Sequence, residues 1–249
     1  MRLIKQSYEI LTPIDADNIM SRIEASARLC YKSEDKIGPG SADAIVKSLI
    51  KSGHGAMIEH AHMTVRFVTD RGVTHELVRH RLCSFAQEST RYCNYSKGKF
   101  EGHCNFIIPS WWENDDSVGD PAYESWEEAM IAAEFHYFVM LTYGWQPQHA
   151  RSVLPNSLAA TIDVTANMRE WRHILQLRTE KAAHPQMRAL MIPLLRELRE
   201  ALPVLFGDVG EDGGVRGMTK DNKRGAECDW QEAYLRVLLS DERTREDET

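Results

Sequence analysis

Residues 62–92 read HMTVRFVTDRGVTHELVRHRLCSFAQESTRY, and two structural periods meet inside them. From His62 to Thr69, apolar Met63, Val65 and Phe67 alternate with other residues, the period of a strand that buries one face. From Thr74 to Arg81, Leu77 and Val78 return the chain to helical spacing. Residues 83–102 are polar, contain glycines and keep no period, which predicts a long functional loop. Strand, helix and loop in that order put Arg79, His80 and Arg81 at the end of the helix, and Gln87, Ser89 and Arg91 in the loop. Basic residues in a last helical turn serve the helix dipole. Arginine forks and hydroxyls are also natural ligands of phosphate oxygens, and an amide, a hydroxyl and a guanidinium in one loop beside further arginines form a phosphate grip.

Outward from this segment, Ile19, Ile23, Ala27 and Cys30 recur at helical spacing over 15–31, and 41–50 reads as a second helix with Ser41 as its N-cap. Residues 106–109 predict a short strand, 111–120 a loop, 125–143 a long helix, and 148–154 a shorter one ended by Pro155. The run 159–164 predicts a strand and 167–179 a helix. A further helix lies within 185–206, and Pro193 should bend or restart it. From residue 207 the composition changes. Residues 207–217 are acidic and Gly-rich, as linkers are. Trp230, Tyr234, Val237 and Leu238 give 230–239 the pattern of a short amphipathic helix, and 241–249 is almost wholly charged, as disordered tails are. The expected division is a catalytic domain over 1–206 and an extension over 207–249.

The 249 residues are 43% hydrophobic and 27% charged, enough to bury a core without disulfide staples. No run approaches the apolar length that spans a bilayer, and no secretory signal opens the chain, so a cytoplasmic protein without membrane contact is expected. Five cysteines with no CxxC pair fit reduced thiols. The net charge of −7 argues against a nucleic-acid binder. Local clusters of arginine in an acidic chain point instead to a small anionic ligand held in a pocket.

A second cluster follows downstream. Arg151 precedes Leu154-Pro155, and Asn167, Arg169, Arg172, His173 and Arg178 lie on one predicted helix. The four-residue step puts Arg169 and His173 on one face. Arg178 falls roughly half a turn round from His173, given ~3.6 residues per turn. The helix can address two ligands, or it is a solvated face partnered by Glu170 and Glu180. His54, His60 and His62 raise a metal reading, with His60 and His62 on one strand face, yet no cysteine or aspartate completes a zinc spacing, and no metal is expected. Neither Cys83 nor Cys93 carries the mark of an activated thiolate. No Gly-x-Ser-x-Gly elbow surrounds Ser89, which is read as a phosphate ligand rather than a nucleophile.

Arg79-His80-Arg81, seven residues, then Ser89 and Arg91-Tyr92 resembles the signature of flavin-dependent thymidylate synthases. His54 with Glu59-His60 resembles that family's His-x(4)-Glu-His segment, Arg151 to Pro155 its Ala-Arg-x-x-Leu-Pro stretch, and Asn167-x-Arg169 with Leu177-Arg178 its C-terminal helix. The resemblance implies an α/β (α+β) fold, with a mixed sheet, long helices and a helical core at the centre of a homotetramer whose active sites are shared between protomers. It implies reductive methylation of dUMP to dTMP, with methylenetetrahydrofolate as carbon donor and NADPH-reduced FAD as hydride source. Carried over, Arg79, His80, Arg81, Asn167, Arg169 and His173 hold FAD, together with Ala56 and Gln87. Glu76, Arg79, Gln87, Glu88, Ser89, Arg91, Arg151 and Arg178 bind dUMP. Arg178 is the catalytic residue, a cation that cannot deprotonate and favours the N3-deprotonated uracil ring.

Three positions depart from the family pattern. Glu76 stands where a Gln is usual, Gln87 where a Glu is usual, and Ala56 where a Thr or Ser contacts FAD, leaving only a backbone there. A carboxylate beside phosphate is costly, so Glu76 is expected to pair with Arg79 at i+3. Two other readings stay open. One is a related flavin- and folate-dependent enzyme acting on the same nucleotide. The other is an arginine-rich nucleic-acid module, from which a yellow colour would distinguish an enzyme.

Overall fold

The computed structural model describes residues 1–112 and 119–215. Its centre is a pair of antiparallel strands, β3 (His62–Asp70) and β6 (Ala159–Asn167), paired along their whole length from His62↔Asn167 to Asp70↔Ala159. Two edge strands complete the sheet. With β2 (Ser7–Ile10) and β4 (Ser84–Gln87) the order is β2-β3-β6-β4, antiparallel throughout. The only parallel pairing among the described residues joins β1 (Arg2–Ile4) to β5 (Asn105–Ile107) in a separate ribbon. The fold is thus mixed α/β, but the parallel and antiparallel strands occupy different sheets.

The alternation read in 62–69 decides which face of the sheet is dry. Met63, Val65 and Phe67 from β3 meet Ile162, Val164 and Ala166 from β6 in the main core. The opposite face carries cross-strand polar pairs, Thr64 with Thr165 at 2.8 Å and Arg66 on Asp163 at 2.7 Å, the pairing that stabilises a solvated sheet face. Helices α1 (Ala16–Tyr31), α2 (Ser41–Lys51), α6 (Met168–Thr179), α7 (Pro185–Ala201) and α8 (Pro203–Phe206) contribute most of the rest of that core. Trp171 of α6 is fully buried, packs its ring 6.4 Å from Phe67 and donates its indole N–H to the Met63 carbonyl at 2.9 Å. A second core, with Tyr95, Phe106, Tyr137 and Leu158, lies under α4 (Pro121–Thr142) and α5 (Pro147–Ala150).

Both central strands end in a helix cap. Asp70 accepts from Val73 N at 2.7 Å and starts α3 (Arg71–Leu77). Asn167 accepts from Glu170 N at 2.8 Å and starts α6. Side-chain capping of otherwise unpaired N–H groups fixes where each helix begins.

Several boundaries differ from expectation. The helix expected over 74–81 ends at Leu77, so Arg79-His80-Arg81 sits in a turn after α3 rather than in its last turn. The expected loop 83–102 contains β4, too short for its period to show. The helix expected from 125 begins at Pro121 because Asp120 caps it and proline fits the first turn. Gly40, not Ser41, occupies the cap position of α2, and Ser41 bonds Glu24 instead. The strand expected over 159–164 continues to Asn167, and the helix expected over 148–154 is α5 followed by a tighter turn. Pro193 lies inside α7 without breaking it. It is on the exposed side, so the carbonyl it leaves unpaired meets water while Met191, Leu194 and Leu195 stay buried.

The stretch from 207, read as a linker, is tied down as far as Val215. Asp208 holds Arg172 through two bonds of 2.7 Å, Glu211 pairs with Arg196 and Arg199, and the Gly210 carbonyl accepts from Thr179 Oγ1. Gly213 has φ +78°, and a Cβ there would stand 2.5 Å from the Gln176 carbonyl oxygen, so this turn needs glycine. The expected helix at 230–239 and tail at 241–249 lie outside the described residues. Replacing Trp171 by Ala should remove about 3–5 kcal/mol of stability, read as a lower denaturation midpoint. A loss under ~1 kcal/mol would show that the sheet and α6 are not held by this contact.

Candidate functional site

Helix α6 starts at the Asn167 end of the sheet, and its last turn brings Arg178 to the segment that follows α3. Three N–H groups of Arg178 find acceptors there. Nε donates to His80 Nε2 at 2.9 Å, NH1 to Glu76 Oε2 at 2.8 Å, and NH2 to the Glu76 backbone carbonyl at 3.1 Å. Glu76 therefore pairs with Arg178 and not with Arg79 as expected. Arg79 meets Glu76 only through its backbone N–H, and its side chain is exposed, as is that of Arg81.

His80 is buried at 6% exposure, with Glu170 Oε1 3.3 Å from its Nδ1 and the His173 ring 5.9 Å away, edge-on. Burial, then the charge of Arg178 and of His173, lowers the His80 pKa to about 4. The ring is neutral at pH 7, and its tautomer follows from its neighbours. Nε2 accepts from Arg178, so the proton is on Nδ1, facing Glu170. Burial also raises the Glu170 pKa and pushes the Cys83 thiol up to about 12, the reverse of an activated thiolate.

His80, Glu170 and His173 are the one described group whose donor atoms lie close enough together to hold a metal. The tautomer opposes that. A metal on His80 Nδ1 would need the proton on Nε2, where Arg178 already donates. The histidines considered from sequence do not form a site either. His54, His60 and His62 are exposed, and His60 ends a turn (Gly55–His60) ahead of β3 instead of sharing its face with His62.

Two adjoining hollows run beside this cluster. A cavity of about 450 Å³ is lined by Arg169, His173, Glu170, Gly55, Ile58 and Leu82 among others. A neighbouring one of about 370 Å³ shares Arg169 and Gly55 and adds His54, Ala56 and Met57. Gly55 lets Arg169 pack close, because a Cβ there would lie 2.8 Å from Arg169 Nε and push that side chain aside. Arg169 also pairs with Glu59 at 2.6 Å. Of the predicted cofactor ligands, Ala56, Arg169 and His173 thus line the trough of these two hollows, and His80 lies behind them against Glu170 and His173. Asn167 spends its carbonyl oxygen on the α6 cap.

The nucleotide-loop residues lie elsewhere in the chain's fold. Gln87 donates to Thr74 Oγ1 at 2.9 Å, and Glu88 accepts from the Tyr95 hydroxyl at 3.1 Å, so both are engaged internally. Ser89 opens a turn and accepts from Arg91 N at 3.3 Å, while the Arg91 guanidinium is 5.4 Å from the Tyr92 ring. Arg151 donates to Thr90 Oγ1 at 3.0 Å. Arg151 and Thr90 line a cavity of about 230 Å³ together with Arg71 and His75, neither of which was singled out in the sequence. Arg71 NH1 is buried with no partner, an arrangement that an oxyanion would satisfy. Arg71 and His75 are four apart on α3, the spacing that could have revealed them. Glu170 was read only as a partner for surface cations.

Arg172 is committed to Asp208, Arg169 to Glu59 and Arg178 to Glu76. Between pH about 6.5 and about 4 the unfolded chain binds a proton at His80 that the folded chain refuses, so stability is lost as pH falls through this window. In His80→Gln, which keeps an acceptor for Arg178, the denaturation midpoint should fall less steeply over that range. An unchanged slope would refute the neutral, buried imidazole.

Residues 14–204 match the family described as thymidylate synthase complementing protein (Thy1). The chain is 32% identical over 213 residues to a flavin-dependent thymidylate synthase of Corynebacterium glutamicum, and 34% over 213 residues to one of Mycolicibacterium vanbaalenii, covering in each case 78% of this chain and 81% of the relative. Among solved structures it is similar to a UMP/dUMP methylase PolB of Streptomyces cacaoi, bound with 5-Br dUMP, with TM-score 0.67, 25% identity, and coverage of 83% of this chain and 96% of that one. With the match spanning β3, β4 and β6, the Arg79-His80-Arg81 turn and Arg178, the chain belongs to the Thy1 family of flavin-dependent thymidylate synthases.

Proposed function

We propose that the chain methylates dUMP to dTMP, with bound FAD and with methylenetetrahydrofolate and NADPH as co-substrates. The observation that carries this is the grip on Arg178, a permanent cation held by Glu76 and by His80, whose ring lies against the trough residues Glu170 and His173. A cation fixed in place stabilises negative charge developing on a pyrimidine ring without reorganising at the moment of reaction. The trough fits a flavin dinucleotide in its donor set. Arg169 and His173 supply cationic and N–H groups for the pyrophosphate and ring edges, Ile58 and Leu82 supply apolar wall, and the missing Cβ of Gly55 lets Arg169 lie flat against the chain. When bound, FAD would carry the hydride and the protein would provide position and charge.

Arg151, Thr90 and Arg71, with Ser89 and Arg91 in the adjoining turn, form the phosphate grip. The phosphate-grip cavity and the flavin trough have no lining residue in common, which supports sites completed by a second protomer. The outer face of α4 supports assembly too. Ile131 and Phe135, one turn apart, are 51% and 62% exposed, and large apolar side chains clustered on a helix face mark interfaces. A homotetramer around these helices would bury them. Free thiols at Cys30 and Cys104 fit a reducing cytoplasm.

Purified protein should be yellow and form dTMP from dUMP, methylenetetrahydrofolate, NADPH and FAD. A parallel assay with UMP tests the nucleotide preference that the similarity to a UMP/dUMP methylase raises. Arg178→Ala should retain FAD and lose dTMP formation by about 10²–10³-fold. Normal turnover would remove Arg178 from catalysis. Ser89→Ala should raise the KM for dUMP about tenfold, as loss of a hydrogen bond to a charged group does, while flavin reduction stays intact. The opposite pattern would reject the phosphate grip.

A further inference from the structure

Glu76 is one of the three positions where this chain leaves the family pattern, and its surroundings give it a definite task. Arg178 reaches it from a residue 102 positions away and spends NH1 on its carboxylate and NH2 on its backbone carbonyl. That carbonyl belongs to the last turn of α3, the negative end of the helix dipole. His80 takes the third N–H, and its own Nδ1 faces the buried Glu170. The result is a chain of four groups, Glu170–His80–Arg178–Glu76, that fixes the guanidinium from two sides. One N–H on each terminal nitrogen stays uncommitted for a ligand. The side chains of Arg178 and Glu76 are 19% and 35% exposed, so the pair is only partly screened by water.

We propose that Glu76 is the positioning residue for Arg178 and that its carboxylate also sets the charge of the nucleotide site. The proposal rests on the reading of Arg178 given above. The two roles depend on different properties of one side chain. Positioning needs an acceptor oxygen within reach of NH1, which an amide also offers. Charge setting needs the carboxylate itself, because it offsets the cation and opposes the approach of an anionic nucleotide. Glu76→Gln keeps the oxygen and removes the charge, Glu76→Asp keeps the charge and shortens the reach, and Glu76→Ala removes both.

The test measures kcat, KM for dUMP and FAD content of the flavin-loaded enzyme for each variant. FAD content should be unchanged. In Glu76→Ala and Glu76→Asp kcat should fall by about 10²-fold, the scale on which a misplacement of ~1 Å acts. Glu76→Gln should restore most of kcat and lower the KM for dUMP below that of the parent. A merely structural contact would not separate these two constants. If Glu76→Ala loses flavin or fails to fold, Glu76→Gln and Glu76→Asp carry the same comparison. Unchanged kcat in Glu76→Ala and Glu76→Asp, or a Glu76→Gln enzyme as slow as those two, overturns the proposal. Arg178→Ala measured alongside separates the levels. Full activity there sinks the reading of the site and this proposal with it, whereas an inactive Arg178→Ala beside a fully active Glu76→Ala sinks this proposal alone.

Discussion

The rest of the structure hangs on the unbroken ladder between β3 and β6. Nine cross-strand pairs, His62↔Asn167 to Asp70↔Ala159, lock two strands that are far apart in sequence into one register. A slip of one residue would turn Met63, Val65 and Phe67 out of the core and strip Trp171 of its acceptor at Met63. It would also move both helix caps. Since α3 starts from Asp70 and α6 from Asn167, the ladder fixes where each helix begins, and so whether Arg178 can reach Glu76 and His80.

The site is built from opposed charges in a partly dry setting. Arg178 alone at the end of a buried helix would be costly. His80, kept neutral by burial and by the cation beside it, supplies an acceptor without adding charge, and Glu76 supplies the counter-charge. The segment 208–211 restrains the other side of the same helices through Arg172, Thr179, Arg196 and Arg199. Residues beyond the family match, which ends at 204, thus contribute to how firmly α6 is held.

Much of this was legible in the residues alone. The alternation in 62–69 gave the dry face of the sheet, because side chains of a strand alternate whatever it pairs with. The motif order from His54 to Arg178 identified the family. What failed were ends and short elements. β4 has only four residues, and the start of α4 depended on the Asp120-Pro121 cap, not on the apolar period. Pro193 was over-read because its exposure, which removes most of the cost of the lost bond, is a tertiary property.

Sequence by itself determined which residue types were available for the chemistry and which stretches were strand or helix, since period and capping act over a few residues. Only the tertiary structure decided who partners whom. The i+3 rule assigned Glu76 to Arg79, but a carboxylate pairs with the cation whose approach the fold makes rigid, and that is Arg178. Glu170 became the neighbour of His80, and Arg71 was left with a buried NH1 that has no hydrogen-bond partner, for the same reason. Burial and long-range contact set these interactions, and neither has a period that a single sequence can display.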